Sequence, residues 1–176
     1  MVTGASALTA REIAEATPDP ELPVVSVGEL GMVRDVKEIG DAVTVTLTPT
    51  YSGCPALPLI AADLRRRLAV AGYPGAEVRV ALAPAWTTDW ITDEGRRKLA
   101  AAGIAPPGPA PRRTGGPVPL TLLTSRPVTG PGTQAVRCPR CGSGRTRRTA
   151  EFGSTACKAL YRCGACGEPF EYVKEI

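Results

Sequence analysis

The chain has 176 residues, of which 43% are hydrophobic and 22% are charged. These values are ordinary for a folded globular protein and exclude a disordered or collagen-like chain. No run approaches 18 apolar residues, and residues 1–20 lack the basic and apolar regions of a secretory signal, so we expect no membrane span and a cytoplasmic location. Histidine is absent, which removes mechanisms that need an imidazole from this chain. The net charge of +4 is too small to indicate nucleic-acid binding by itself.

Charge and composition predict three segments. Residues 1–104 carry a net charge of −3, and residues 135–176 carry +4. The 30 residues between them hold 8 prolines and 5 glycines, so they cannot sustain a helix or a central strand. We therefore predict a first domain over residues 1–104, a Pro/Gly-rich linker over 105–134 and a small module over 135–176.

The first segment has the pattern of an α+β domain. Thr9 and Glu12 fit a capping box, so a short helix should begin there and end before Pro18. The later elements are predicted, in chain order, as strands over residues 31–37 and 43–47, a helix over 55–71, a strand over 78–82 and a helix over 92–103. A tight turn at Gly40-Asp41 makes the first two strands an antiparallel hairpin, and the following helix lets the chain cross over to the third strand. The prediction is a small three-stranded sheet with helices packed on it.

Four of the six cysteines stand in two Cys-x-x-Cys-Gly pairs, namely Cys138, Cys141, Cys163 and Cys166. Each pair places two sulfur atoms on one tight turn, and two such turns can form a tetrahedral four-thiolate site. Zinc suits these donors because it accepts four sulfurs without redox change, although iron in a rubredoxin-like site is chemically possible. Four protein ligands leave no open position, so we predict a structural metal in a zinc ribbon with strands over residues 146–150, 159–161 and 170–173.

Cys54 follows the second predicted strand and directly precedes Pro55. Proline is common at the first position of a helix, so the thiol is predicted at a helix N-terminus, where amides and the helix dipole lower its pKa. Such a sulfur is a nucleophile or a soft-metal ligand, unless it is an inert buried cysteine. One thiol cannot chelate stably. A metal-handling role therefore needs a nearby carboxylate (Asp19, Glu21 or Glu29), a second protomer or a partner.

Cys157 and the two tryptophans are each open to two interpretations. Cys157 lies in the ribbon but off the spacing of the two pairs, so it is either a small buried residue or a spare thiol near the metal that could act as an alternative ligand. Trp86 and Trp90 lie close together with Asp89 between them. They either pack over the edge of the sheet or anchor a binding partner, because tryptophan is a common interface residue.

Several of these segments resemble known families. Residues 19–23, 29–33 and 48–55 resemble the iron–sulfur assembly domain shared by SufT-like proteins and eukaryotic cytosolic assembly factors. Residues 84–90 and 151–163 narrow the match, because with the C-terminal cysteine ribbon they resemble the PaaD family, the D components of multicomponent phenylacetyl-CoA epoxidase systems. The tandem of the two parts carries this resemblance, which covers nearly everything except the linker.

The resemblance implies a non-catalytic accessory protein. In that family a separate di-iron subunit carries the oxygenase chemistry, a flavin and iron–sulfur reductase supplies electrons, and the D component helps to mature or repair metal centres. On this chain the resemblance implies that Cys54 handles a transient iron–sulfur cluster. The partners it implies are subunits of the epoxidase system, either the oxygenase or the reductase, and a homo-oligomer stays open. The absence of histidine agrees, because a di-iron oxygenase site normally needs carboxylates and histidines.

Other functions stay open from the residues alone. The basic ribbon, which includes Arg145, Arg147 and Arg148, could bind nucleic acid or act as a docking adaptor. Four thiolates and one zinc ion together carry a charge of −2, which reduces the net charge of this module to about +2 and weakens the case for nucleic acid. A thiol enzyme that uses Cys54 would have to work without a histidine base.

Overall fold

The computed structural model describes residues 8–40, 42–110 and 136–176. Most of the predicted linker, from residue 111 to residue 134, lies outside these ranges, as does Asp41 of the predicted turn. The elements are α1 (Ala10–Glu15), β1 (Val33–Ile39), β2 (Ala42–Leu47), α2 (Leu57–Val70), β3 (Glu77–Val80), α3 (Asp93–Ala101), β4 (Ile104–Ala105), β5 (Thr146–Ala150), β6 (Lys158–Cys163) and β7 (Pro169–Val173). In this described part of the chain, none of the helices combines the length and apolarity that a bilayer crossing needs.

The first sheet has the order β1-β2-β3 and confirms the predicted α+β class. Strands β1 and β2 are antiparallel, joined by a turn in which Gly40 adopts a φ of 58°. Strand β3 runs parallel to β2, because α2 carries the chain across between them. The capping box of α1 is present as predicted, with the Thr9 hydroxyl accepting from the Glu12 amide.

The core of the first domain lies between this sheet and its helices. The inward side chains of β2 are buried, as the alternating pattern predicts, and the buried face of α2 packs in the same core (Val43, Val45, Leu47, Ile60, Leu64 and Leu68). The third strand, however, is shorter than predicted, because it ends at Val80 and not at residue 82. Val80 and Leu82 are exposed, because β3 is a short edge strand and the chain leaves the sheet after it.

The second sheet belongs to the ribbon and has the order β4-β7-β6-β5. Three of its strands are the predicted ribbon strands. The fourth, β4, directly follows α3 and pairs in parallel with β7, with Ile104 opposite Glu171 and Ala105 opposite Tyr172. Ala105, the first residue of the predicted linker, therefore belongs to the ribbon sheet. A two-residue strand before a proline pair has no periodicity that would predict it. The division of the chain into three segments, with its two boundaries, stays a prediction.

The last strand of the ribbon packs on the first domain. Val173 of β7 is buried in the core of the first domain, with Ile176 against it. The Thr88 amide donates to the Ile176 carbonyl at 3.2 Å. The Arg96 guanidinium of α3 donates to the Thr88 carbonyl at 2.7 Å and to the Pro107 carbonyl. These contacts join the two sheets into one packed unit.

We expect substitutions at two glycines to separate the energetic cost of backbone strain from the cost of a steric clash. Gly31 (φ 68°) and Gly40 (φ 58°) both have left-handed backbones, but a Cβ at Gly31 would lie 2.5 Å from the Trp90 carbonyl oxygen, whereas one at Gly40 would meet nothing within 4 Å. Gly40→Ala should therefore lower the free energy of unfolding by about 1 kcal/mol, and Gly31→Ala by about 3 kcal/mol or more. Urea unfolding of both variants measures the difference, and equal losses would contradict this assignment.

Candidate functional site

The four ribbon cysteines form one compact sulfur cluster. Their Sγ atoms all lie within 4.8 Å of one another, with 3.8 Å between Cys138 and Cys166 and 3.6 Å between Cys141 and Cys163. A tetrahedral zinc ion with Zn–S bonds of about 2.3 Å would place its sulfurs about 3.8 Å apart. The donor set therefore fits a single tetrahedral metal ion, and all four positions of that ion are filled by the protein.

Backbone amides support these thiolates. The Ala165 amide donates to the Cys163 sulfur at 3.3 Å, and the amides of Cys166 and Ala165 lower the pKa of the Cys163 thiol to about 6. Gly142 and Gly167, which follow the second cysteine of each pair, adopt φ values of 72° and 80°. The left-handed backbone at these two residues lets each turn close. Glycine adopts this conformation at little steric cost because it has no Cβ.

The core of the ribbon module is small and depends on the same cysteines. Its buried residues are Ala105, Cys138, Ala159, Cys163, Phe170 and Tyr172, so two of the six are metal-ligand positions. The Tyr161 ring stacks on Phe170 and meets Tyr172 edge-on, with centroid distances of 5.8 and 5.4 Å. A core of this size cannot hold the module together alone, so metal binding supplies much of its folding free energy.

Cys54 lies apart from the ribbon sulfur cluster, at the junction of the two sheets. Its half-buried side chain lines a cavity of about 20 Å³, room for about one water molecule. Cys157 of the ribbon lines the same cavity, together with Asp19, Glu21 and Met32. The structure thus brings together two cysteines that lie about one hundred residues apart in the sequence.

The predicted lowering of the Cys54 pKa is wrong. Helix α2 begins at Leu57, not at Pro55, and its N-cap is Ala56, so Cys54 lies in the turn before the helix. Burial raises the pKa of the Cys54 thiol, and the amides of Ala56 and Leu57 only oppose that shift, while the negative charge of Glu21 adds to it. The sequence shows the turn, but burial and a carboxylate from another loop reverse the direction of the shift.

The three candidate carboxylates occupy different environments. Asp19 is buried, and its Oδ1 accepts from the amides of Glu21 and Leu22 at 2.8 Å each, so it holds the loop in shape. Glu21 is half-buried; burial, followed by the charge of Asp19, raises its pKa, which Lys158 opposes. Glu29 does not line the cavity.

Glu29 instead joins its loop to α3 through an ion pair with Lys98. Its carboxylate accepts from Lys98 at 2.6 Å and from the Ser26 amide at 2.9 Å. Burial would raise the pKa of Glu29, but the Lys98 and Ser26 hydrogen bonds outweigh it and hold the pKa below its ordinary value. Glu29 is thus an ion-pair partner within the first domain.

Cys157 is not a member of the ribbon's four-sulfur cluster. It is half-buried, its sulfur lies 3.0 Å from the Thr155 hydroxyl, and its carbonyl accepts from the Lys174 amide at 2.9 Å. Burial raises the pKa of this thiol, Thr155 opposes the shift and the charge of Glu21 adds to it. Cys157 instead lines the junction cavity, as Cys54 does.

The tryptophan segment does not form one surface. Trp86 is buried, lines the cavity and donates from Nε1 to the Leu30 carbonyl at 2.8 Å. Trp90 is half-buried, with the Arg34 guanidinium 3.6 Å above its ring, and Asp89 accepts from the Ala110 amide at 2.9 Å. These contacts explain the segment by packing, and a partner-binding role for Trp86, Asp89 and Trp90 stays a prediction.

Comparisons with known proteins agree with both halves of the fold. A family described as iron-sulfur cluster assembly protein matches residues 15–82, and one described as PaaD zinc beta ribbon domain matches residues 124–174. A protein of Escherichia coli (strain K12), provisionally named as the D component of 1,2-phenylacetyl-CoA epoxidase, is 44% identical over 159 residues, which cover 90% of this chain and 87% of the relative. The chain belongs to the family of phenylacetyl-CoA epoxidase D components.

Two further relatives match a smaller part of this D-component family member. The Fe-S protein maturation auxiliary factor of Porphyromonas gingivalis (strain ATCC BAA-308 / W83) is 36% identical over 83 residues, which cover 46% of this chain and 78% of the relative. The Fe-S protein maturation auxiliary factor YitW of Bacillus subtilis (strain 168) is 38% identical over 77 residues, which cover 43% of this chain and 74% of the relative. The resemblance stated from the sequence is thereby confirmed.

Sequence reasoning missed most of the apolar residues that line the junction cavity in this D component. Met32 and Val173 are two of them, and the sequence predicts no more than a place in a strand for each. No pattern of spacing connects them with Cys54, because the residue before β1, strand β7 and the turn before α2 meet only after the two sheets pack. The one signal in the sequence was Cys157, because the two Cys-x-x-Cys pairs of the ribbon leave this cysteine unexplained.

We expect the two kinds of ribbon cysteine to respond differently to substitution. Wild type should bind about one zinc ion per chain. Cys138→Ser should lose this zinc and the fold of the ribbon, because it removes a buried ligand. The matched control Cys157→Ser should keep the zinc, because Cys157 is outside the sulfur cluster. Metal analysis after gel filtration measures the zinc content, and zinc loss in Cys157→Ser alone would contradict the ligand set.

We expect Cys54 to be a slow nucleophile. Since burial raises its pKa, less thiolate is present at neutral pH than in a free cysteine, and alkylation by iodoacetamide should be slower. Glu21→Gln should accelerate the reaction, because removing the negative charge lowers that pKa, whereas Glu38→Gln on the exposed face of β1 should leave it unchanged. Peptide mapping by mass spectrometry measures the rate at Cys54. A rate above that of free cysteine would contradict the assignment.

Proposed function

We propose that this chain is a non-catalytic accessory component of a phenylacetyl-CoA epoxidase system, which assembles or delivers iron or iron–sulfur centres to the oxygenase or reductase subunit. The chain acts in the cytoplasm, where its thiols stay reduced. The relatives named above as an epoxidase component and as Fe-S maturation factors support this role.

One observation carries the proposal: the chain keeps a cysteine pair apart from its structural metal site. The ribbon cluster uses Cys138, Cys141, Cys163 and Cys166, which leaves Cys54 and Cys157 at a junction cavity. A closed four-thiolate site stabilises a fold and does not exchange its ion readily. A half-buried thiol with a nearby carboxylate can bind and release a thiophilic metal centre.

The donor groups also favour an accessory role over an oxygenase. Across residues 8–40, 42–110 and 136–176, the four ribbon cysteines are the one group of three or more cysteine and carboxylate donors close enough to share an ion. A di-iron oxygenase site uses several carboxylates with histidines on facing helices, and this chain has no histidine. The reaction on the substrate therefore belongs to another subunit.

The ribbon is proposed to hold structural zinc and to serve as the docking module. Nucleic-acid binding by it has less support, because Tyr161, Phe170 and Tyr172 pack against each other inside the ribbon instead of offering free stacking faces. Phe152 is exposed, but the Lys174 ammonium lies 4.3 Å over its ring.

We expect Cys54→Ser to fold normally and to abolish maturation of the partner subunits. The experiment replaces the native chain with this variant in cells that express the epoxidase system, and measures the iron and acid-labile sulfide content of the purified oxygenase and reductase. Ser52→Ala, an exposed substitution in the same turn, is the matched control and should support full occupancy. Normal metal content in both partners with Cys54→Ser would overturn the proposed function.

A further inference from the structure

Two thiols line the junction cavity. Cys54 comes from the turn before α2 in the first domain, and Cys157 comes from the segment before β6 in the ribbon. The cavity has a volume of about 20 Å³, which is room for an occupant about the size of one water molecule. A single metal ion has this size, whereas an iron–sulfur cluster would force the two domains apart.

The lining favours a cation over an anion or a neutral ligand. Of the described residues that line the cavity, two are acidic (Asp19 and Glu21) and none is lysine or arginine. The nearby Lys158 ammonium is bound by the Glu171 carboxylate at 2.9 Å. Two sulfur donors in a largely apolar setting select thiophilic metals over magnesium or calcium.

We infer that Cys54 and Cys157 together bind one thiophilic metal ion, with the Glu21 carboxylate as a third donor. The identification of that ion as ferrous iron rests on the proposed function, while the two-thiol site rests on the cavity alone. On binding, each thiol releases its proton to solvent and its sulfur donates an electron pair to the ion; the oxidation states do not change.

The geometry suits a transient site. Only the ribbon cysteines, within the described ranges, form a group of three or more such donors already at binding distance, so the two thiols and Glu21 have to move toward one another when the ion enters. A site whose donors have to move together holds its ion more weakly than a closed four-thiolate site. The ribbon thereby contributes Cys157 as a ligand of the junction site, in addition to holding its own structural metal.

The test adds Co²⁺ to the full chain, reduced, kept free of oxygen and loaded with zinc in the ribbon. Cobalt binds such donors more weakly than zinc and leaves the ribbon ion in place. Wild type should take up about one equivalent of Co²⁺ with a sulfur-to-cobalt charge-transfer band. Cys54→Ser and Cys157→Ser should each weaken this binding by about 100-fold, since losing even an outer-shell partner costs a metal site 10–100-fold. The exposed substitutions Ser52→Ala and Ala156→Ser, each close in sequence to one of the two thiols, should leave it unchanged.

A second measurement needs no variant. One equivalent of Co²⁺ on wild type should protect both Cys54 and Cys157 from alkylation, as read by peptide mapping. Protection of Cys54 alone, or unchanged cobalt affinity in Cys157→Ser, would overturn this inference and leave the proposed role of Cys54 in maturation standing. Failure of the proposed function shows separately, as full metal content in the partner subunits with Cys54→Ser.

Discussion

The position of the ribbon on the first domain depends on the four-sulfur cluster of the ribbon. Its ligands hold together a module with a core of only six buried residues, two of which are themselves ligands. The closed turns set the register of β6 and β7, and β7 in turn carries Val173 into the core of the first domain. The structural metal site therefore fixes, at a distance, where Cys157 lies relative to Cys54.

The junction has an unusual electrostatic character. Two thiols and two carboxylates line one small cavity that contains no basic side chain among its described residues. Burial and these negative charges keep the thiols protonated at rest, which protects them from oxidation and alkylation. A thiophilic cation makes the deprotonated thiols favourable, because it replaces the two thiol protons and its positive charge is stabilised by the carboxylates. The same features that make Cys54 a poor nucleophile thus make the junction selective for a metal ion.

This arrangement accounts for the two parts of the D-component family occurring in one chain. The first domain supplies a turn thiol and two acids, but a lone thiol is a weak ligand. The ribbon supplies the second thiol, and the pairing of β4 with β7 together with the Arg96 contacts holds it in place.

The sequence by itself determined the three-stranded sheet, the capped helix α1 and the four metal ligands, because each depends on local spacing: alternation in β2, the Thr9–Glu12 pair and the two Cys-x-x-Cys turns. It also placed Cys54 near the start of α2, although the helix begins at Leu57 and not at Pro55. Only the tertiary structure decided the direction of the Cys54 pKa shift, the location of Cys157 at the junction cavity and the membership of Ile104–Ala105 in the ribbon sheet. These depend on burial and on contacts between residues far apart in the chain, which no local pattern of residues encodes.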